Sequence, residues 1–370
     1  MRRRVITIIG TRPEVIKMAP VVREIERRAD AFEHRLVTTA QHREMLDQVL
    51  DVFGLTPDVD LGLMQEGQSL GDFASRSLSS VSSLLTQEKP DAILVQGDTT
   101  TSMIAALAAF YQGVHIGHVE AGLRTRDRRQ PFPEEINRRI TGVLADLNFA
   151  PTPRARVNLL NEGVPDENIF VTGNTIVDAL SGVEPGGAFS DPRLSEIDFE
   201  HQRVLLVTAH RRENHGEPLR AICRALRTIA AGADDVEIIY PVHLNPNVNA
   251  TVRSELANVD RIHLVDPVSY RDLLMLMNRS YLVLTDSGGI QEEAPSFHKP
   301  VLVLREVTER PELIEANGGV LVGTDAKLII ECVDRLLSDP DAYARMASVE
   351  NPFGDGHASE RIVEVLAERL

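Results

Sequence analysis

The chain lacks any apolar run longer than a β-strand: its longest hydrophobic stretches end after a few residues in Gly, Asp or Pro, which excludes a membrane-spanning helix. Cysteine is nearly absent. Cys223 and Cys332 are far apart and each falls inside a helical pattern, so the expectation is two buried thiols of a cytoplasmic protein, not a disulfide framework or a zinc site. Lysine is scarce, with four residues among 39 basic ones, and the formal net charge is −16. That balance opposes a nucleic-acid partner, and any polyanionic ligand must be held by local cations against the overall field. Residues 1–4 are basic and 5–9 apolar, but Gly10-Thr11-Arg12-Pro13-Glu14 follows at once without a small-residue cleavage site, so no secretory signal is expected.

Hydrophobic residues make up 43% of 370, enough for two cores and too long a chain for one typical domain. The rest is organised around residues 281–297, YLVLTDSGGIQEEAPSF. A buried-strand pattern at 281–285 runs into Asp286-Ser287-Gly288-Gly289, and a helix is expected from about Ile290. Two consecutive glycines let backbone N–H groups approach a ligand closely, which suits a phosphate. Glu292 and Glu293 would then lie in the first helical turn, within reach of the hydroxyls of a ribose. The plainer reading is that Asp286 or Ser287 caps the helix and the glutamates complement its dipole.

Strand and helix alternate on either side of a softer Gly/Pro/Ser/Asp stretch at 181–198. Strands are expected at 5–9, 34–39, 92–96, 115–119 and 147–151, then at 204–208, 237–241, 262–265, 281–285, 301–304 and 319–322. Helices are expected between them, including 13–27, 70–88, 99–111, 133–145 and 154–162 in the first half, and 219–231, 246–256, 270–278, 291–297 and 326–337 in the second. The pattern implies an α/β protein of two doubly wound Rossmann-like domains facing a central cleft. The expected boundary is near 168–173, giving domains at 1–170 and 171–359. Ligands of open α/β sheets bind beyond the carboxyl ends of the strands, and the loops there carry the chemistry-capable residues.

Arg12 and Lys17 follow the first strand and suit an anion. Asp98, in Gly97-Asp98-Thr99, reads as a base or as the N-cap of the next helix. Glu120 ends a strand beside His118 and Arg124. Glu134 sits at a helix start where acids are favoured without any catalytic role. His210, Arg211 and Arg212 follow the first strand of the second half, where a diphosphate would lie.

Taken together, GTRPEVIKMAP at 10–20, TAQHREML at 39–46, GDTTT at 97–101, HVEAGLRT at 118–125, PFPEEINR at 131–138, GN at 173–174, HRREN at 210–214, HLNPN at 243–247, and DSGGIQEEAPS at 286–296 with TERPE at 308–312 closely resemble the non-hydrolysing UDP-N-acetylglucosamine 2-epimerases, in order and over nearly the whole chain. The resemblance implies a glycosyltransferase-B architecture in which a C-terminal helix at 360–370 returns to the first domain. It also implies interconversion of UDP-GlcNAc and UDP-ManNAc without cofactor or metal, and a homodimer. By matching position, the implied catalytic residues are Lys17, Asp98, Glu120, Glu134 and His210, and the substrate-binding ones Arg12, Arg211, Ser287, Gly288, Gly289, Glu293 and Arg310.

Gln41, His42 and His243 match a second UDP-GlcNAc site at which substrate activates the reverse reaction, although Glu44 and Gly67 depart from that pattern. The rivals are an epimerase of UDP-2,3-diacetamido sugars, a glycosyltransferase of the same architecture and a non-catalytic sugar-nucleotide sensor. The acids at 98, 120 and 134 disfavour the last two, and AQHREM with GDTTT favours the GlcNAc branch over the first.

Overall fold

A computed structural model of the chain describes residues 2–39, 43–65, 67–183 and 186–370, with 43–45 described for backbone alone. Two compact units emerge: Met1–Val183 joined by Phe353–Leu370, and Glu184–Pro352.

Unit 1 holds strands β1 (Arg3–Ile9), β2 (Phe32–Thr38), β3 (Val59–Asp60), β4 (Ala92–Gln96), β5 (His115–Val119), β6 (Leu147–Ala150) and β7 (Ile169–Val171). They form one parallel sheet in the order β3-β2-β1-β4-β5-β6-β7. Unit 2 holds β8 (Arg203–Thr208), β9 (Val236–Pro241), β10 (Ile262–Val265), β11 (Leu282–Thr285), β12 (Val301–Val303) and β13 (Gly319–Leu321), parallel in the order β10-β9-β8-β11-β12-β13. Central strands are covered on both faces, as continuous runs such as Val5-Ile6-Thr7-Ile8-Ile9 require: all five side chains are buried. In unit 1, Ile6, Ile8, Ile93, Val95 and Ile116 pack with Val81, Leu84 and Leu85 of helix Leu70–Glu88. In unit 2, Leu205, Val207, Ile238, Leu282 and Leu284 pack with Leu219, Ile222 and Leu226 of helix Glu217–Gly232. In each sheet the strand order reverses beside the first strand, so the ends of β1 and β4, and of β8 and β11, are the switch points where a ligand crevice opens.

Asp178 ties the last helix to the rest of unit 1. This buried acid in helix Thr175–Ser181 accepts hydrogen bonds from the backbone N–H groups of Ala358 (3.2 Å) and Ser359 (2.7 Å), so it caps helix Ala358–Arg369 from outside that helix. Helix Ala358–Arg369 packs on helix Arg12–Arg27.

Several sequence expectations need correction. The helix expected from Ile290 is α-helical over Gly288–Glu293 and 3-10 over Ala294–Phe297. Gly288 and Gly289 do not take positive φ, so they enter the helix instead of forming a left-handed turn, and Glu292 and Glu293 fall beyond its first turn. The helix expected at 133–145 is Glu134–Leu144, with Pro133 at the N-cap. Strands β3 and β7, and helices Thr175–Ser181, Pro311–Glu315 and Pro340–Ala347, are too short for periodicity to disclose them. The stretch at 181–198 is not all surface: Phe189 and Leu194 are buried, and Phe189 stacks on Phe199 at 5.7 Å. Cys223 is buried but Cys332 only partly so. None of the described helices is long and apolar enough to cross a membrane.

Candidate active site

In unit 1 the switch point begins at Gly10. A Cβ there would lie 2.4 Å from Thr39 Oγ1 and 2.5 Å from Thr101 Oγ1, so only glycine lets the chain leave β1 between these two threonines. Helix Arg12–Arg27 starts at once, leaving Arg12 exposed and carrying Lys17 into the interior. The Lys17 ammonium donates to Glu120 Oε2, and Gln96 Nε2 donates to the same oxygen at 3.1 Å. Glu120 ends β5 with φ +64°, a left-handed backbone conformation that costs a non-glycine residue on the order of 1 kcal/mol and that clusters at functional sites. Its charge is buried, but it meets an opposite charge and an amide donor, which is what a buried carboxylate requires.

Asp98 is not the N-cap that the sequence left open. Thr99 holds that place, its Oγ accepting from Ser102 N–H at 3.0 Å. Asp98 instead accepts a hydrogen bond from the guanidinium of Arg138, whose buried head also lies 3.6 Å from Glu135. Asn137 Nδ2 donates to the Asp98 carbonyl at 2.9 Å. His118 Nε2 donates to the Gly97 carbonyl at 2.7 Å, and complete burial pushes this imidazole down to about 4. Glu134 is half-buried at the start of its helix, while its neighbour Glu135 is fully buried and accepts from Thr125 N–H at 3.1 Å and Arg126 N–H at 3.3 Å. Glu135 is thus held by backbone donors of the loop before the helix.

Glu14 binds the two loops together. Its Oε2 accepts from Gly10 N–H at 3.0 Å, and its Oε1 lies 2.7 Å from Thr99 Oγ and 3.1 Å from Ser102 Oγ. Burial pushes its carboxyl above the ordinary glutamate value, against the pull of these hydrogen bonds. Sequence reasoning gave no role to Glu14, Gln96, Asn137 or Arg138. The first lies within GTRPE and the last two within PFPEEINR, so motif membership was the only signal available.

Unit 2 repeats the plan with different chemistry. Asp286, fully buried at the end of β11, accepts at Oδ2 from His210 N–H (2.8 Å), Arg211 N–H (2.9 Å) and Asn214 Nδ2 (2.9 Å). Ser287 precedes helix Gly288–Glu293 but its side chain does not cap it. Neither plain reading of this turn survives, since Asp286 is committed to the loop after β8. A Cβ on Gly288 would lie 3.0 Å from the guanidinium carbon of Arg310, so the bare glycine is what admits that side chain. Arg310 donates to Glu292 (2.8 Å) and Glu309 (2.7 Å), and Glu293 accepts from Tyr270 Oη at 3.1 Å.

His243 is exposed, with its ring stacked on His210 at 5.2 Å and 11° and its Nδ1 accepting from Asn245 N–H at 3.0 Å. Asn245 in turn caps helix Pro246–Leu256. Gln41 and His42 lie outside the described residues, as does the side chain of Glu44. The structure thus gathers Lys17 with Glu120, Asp98 with Arg138, His210 with Asp286 and His243, and Gly288 with Arg310.

Comparison with known proteins identifies the family. The UDP-N-acetylglucosamine 2-epimerase family model matches residues 23–367. The UDP-N-acetylglucosamine 2-epimerase of Escherichia coli K12 is 50% identical over 369 residues, covering 98% of each chain. The crystal structure of UDP-GlcNAc 2-epimerase from Neisseria meningitidis bound to UDP-GlcNAc superposes with a TM-score of 0.90 at 44% identity, covering 99% of this chain and 100% of that one. That of the Methanocaldococcus jannaschii enzyme with UDP-GlcNAc and UDP gives 0.81 at 34% identity, covering 99% of both. The chain belongs to the UDP-N-acetylglucosamine 2-epimerase family and is an isomerase.

Proposed function

We propose that the protein interconverts UDP-N-acetylglucosamine and UDP-N-acetylmannosamine by eliminating UDP and adding it back. The carbon 2 hydrogen has no neighbouring carbonyl to acidify it, so direct removal as a proton is too difficult. Breaking the bond from carbon 1 to the UDP oxygen, with the electron pair leaving on UDP, gives oxocarbenium character that acidifies carbon 2. A carboxylate then takes that proton, forming 2-acetamidoglucal. In the second half a protein acid delivers a proton to the opposite face of carbon 2, and the UDP oxygen attacks carbon 1. Atoms and electrons balance without an oxidant.

The observation that carries this reading is the set of three acids in unit 1. Asp98 and Glu120 stand at the ends of adjacent strands β4 and β5, each bonded to a buried cation, and Glu134 opens the helix that supplies Arg138. Acid and base on opposite sugar faces need such a set. We assign the sugar to unit 1, and the uridine diphosphate to Arg12, His210, Arg211, Ser287, Gly288, Gly289 and Arg310, with Glu293 for the ribose. Lys17 orders Glu120. A homodimer accompanies this assignment. Helix Glu134–Leu144 turns Asn137, Arg138 and Thr141 inward and leaves Ile140 and Val143 exposed, an inversion that suits a covered face. Light scattering tests that state.

Incubation with UDP-GlcNAc in heavy water tests the reaction. Deuterium should appear at carbon 2 of both epimers, and activity should survive exhaustive EDTA treatment. Epimerisation without solvent deuterium would overturn the two-acid scheme.

A further inference from the structure

Two edges of the His210 ring face different surroundings. Its Nδ1 lies 3.4 Å from Asp286 Oδ1, and its face is fixed by the His243 ring. The side chain is 38% exposed, whereas that of Asp286 is 0% exposed. The loop beneath the ring is held from three strands. Tyr240 of β9 donates to the Ala209 carbonyl at 2.8 Å, Asp286 after β11 accepts from the N–H groups of His210 and Arg211, and Asn214 spans from Asp286 to the Leu304 carbonyl after β12, at 2.9 and 3.1 Å. Oδ2 of Asp286 is saturated by three donors, and Oδ1 takes no hydrogen bond of ordinary geometry from the described residues. A buried carboxylate oxygen in that state is costly unless something completes it. The Nδ1–H of His210, with its nitrogen 3.4 Å away, is a neighbouring group able to do so.

We propose that Asp286 is the positioning residue of His210: it holds the imidazole with its proton on Nδ1, directs Nε2 away from the buried side of the loop, and stabilises the ring when Nε2 also takes a proton. Which ring nitrogen carries the proton is set by the bond the other one makes, and a buried carboxylate on Nδ1 settles both tautomer and orientation. This inference rests on the reading above only in that His210 meets the departing diphosphate. There the protonated ring offers Nε2–H to a phosphate oxygen on which negative charge develops, a contact that gains strength as the bond to carbon 1 breaks. Asp286 touches neither substrate nor reacting atoms. The same carboxylate that shapes the loop by its Oδ2 therefore tunes the side chain by its Oδ1.

A double-mutant cycle and one spectrum test it. Asp286→Asn should lower kcat about ten- to a hundredfold, the scale for losing a group that orients a functional histidine. His210→Asn should lower kcat as well, and the double variant should be no worse than His210→Asn alone to within about threefold, because Asp286 acts through the ring. Losses that multiply in the double variant would overturn the assignment. Asp286→Asn removes a buried anion with three backbone and side-chain donors around it, so its folding is checked by circular dichroism. If it does not fold, the wild-type protein decides. Histidine 15N spectra with UDP present, with the His210 signals identified by their absence in His210→Asn, should show Nδ1 protonated, and a bare Nδ1 with the proton on Nε2 would overturn the proposal. Failure of the epimerase reading would show first in the wild-type assay as no UDP-ManNAc formed, and the tautomer can be read whether or not that happens.

Discussion

Each unit anchors its switch point with one fully buried acid, and the two acids do the same task in opposite ways. Glu14 reaches from helix Arg12–Arg27 of unit 1 to the turn after β4, while Asp286 reaches from the end of β11 to the loop after β8. Both tie the first strand of their sheet to the strand beside it. Asp286 meets two backbone amides, a side-chain amide and an imidazole, groups that donate.

Glu14 meets one amide and the hydroxyls of Thr11, Thr99 and Ser102. Four short oxygen contacts join Glu14, Thr99, Ser102 and the Gln96 carbonyl, at 2.7, 3.1, 2.8 and 2.6 Å. Burial pushes the Glu14 carboxyl above the ordinary glutamate value, while the hydrogen bonds from Thr99, Thr11, Gly10 and Ser102 pull it down.

The comparison breaks most sharply at the reacting acids. Asp98→Asn, Glu120→Gln and Glu134→Gln should each lower kcat by about a hundredfold or more while leaving UDP affinity measured by calorimetry unchanged, because the acids stand in unit 1 and the assigned UDP ligands, Arg12 apart, in unit 2. A loss of UDP affinity equal to the loss in rate would remove the division of labour.

Acid should act first on unit 1. Burial lowers His118 from 6.5 to about 4, and His34 on β2 likewise. Between those values the unfolded chain binds the proton and the folded chain does not, so the stabilisation present above 6.5 is lost as pH falls through the window. For His118 the loss is on the order of 3 kcal/mol. Urea denaturation at pH 7, 5 and 4 should show it, and His118→Gln should flatten that part of the curve.

A smaller effect separates the two anchoring acids. Glu14→Gln supplies one donor and one acceptor, the inventory of a neutral carboxylic acid, so its stability at pH 7 should lie within about 1 kcal/mol of wild type, unlike the Asp286 variant. The sign follows from the raised value: as pH climbs above the ordinary glutamate range the unfolded chain releases a proton that the folded chain keeps, so wild-type stability declines there and the Gln variant's does not. Parallel curves in thermal melts from pH 4 to 8 would mean that Glu14 is ionised.

The least effect is expected at His243. It stacks on His210, so a ligand that moves one ring moves the other. Progress curves for pure UDP-ManNAc should show a slow start, shortened by a trace of UDP-GlcNAc, and His243→Ala should lengthen it a few-fold. A linear initial rate unaffected by UDP-GlcNAc would leave His243 as part of the turn that Asn245 caps.

The alternation of strand and helix, the parallel sheets and the loops that carry Asp98, Glu120, His210 and Ser287 were all legible in the sequence, because β-branched runs bounded by Gly, Asp and Pro report strands and their ends locally. So was the family, through motifs spread over nearly the whole chain. The partners of those loops were not. Asp98, taken alone, read as a cap before it read as a base, until Thr99 took the cap and Arg138, forty residues away, took the carboxylate. Glu134 and Glu135 are indistinguishable as letters, and only the fold buries one under Thr125 and Arg126. Gly288 and Gly289 read as a turn, yet the helix begins with them and the space Gly288 leaves is filled by Arg310. Periodicity and turn chemistry are properties of neighbouring residues, so the sequence by itself determined where the functional loops lie. Which buried charge meets which donor depends on strands brought together from distant parts of the chain, and that only the tertiary structure decided.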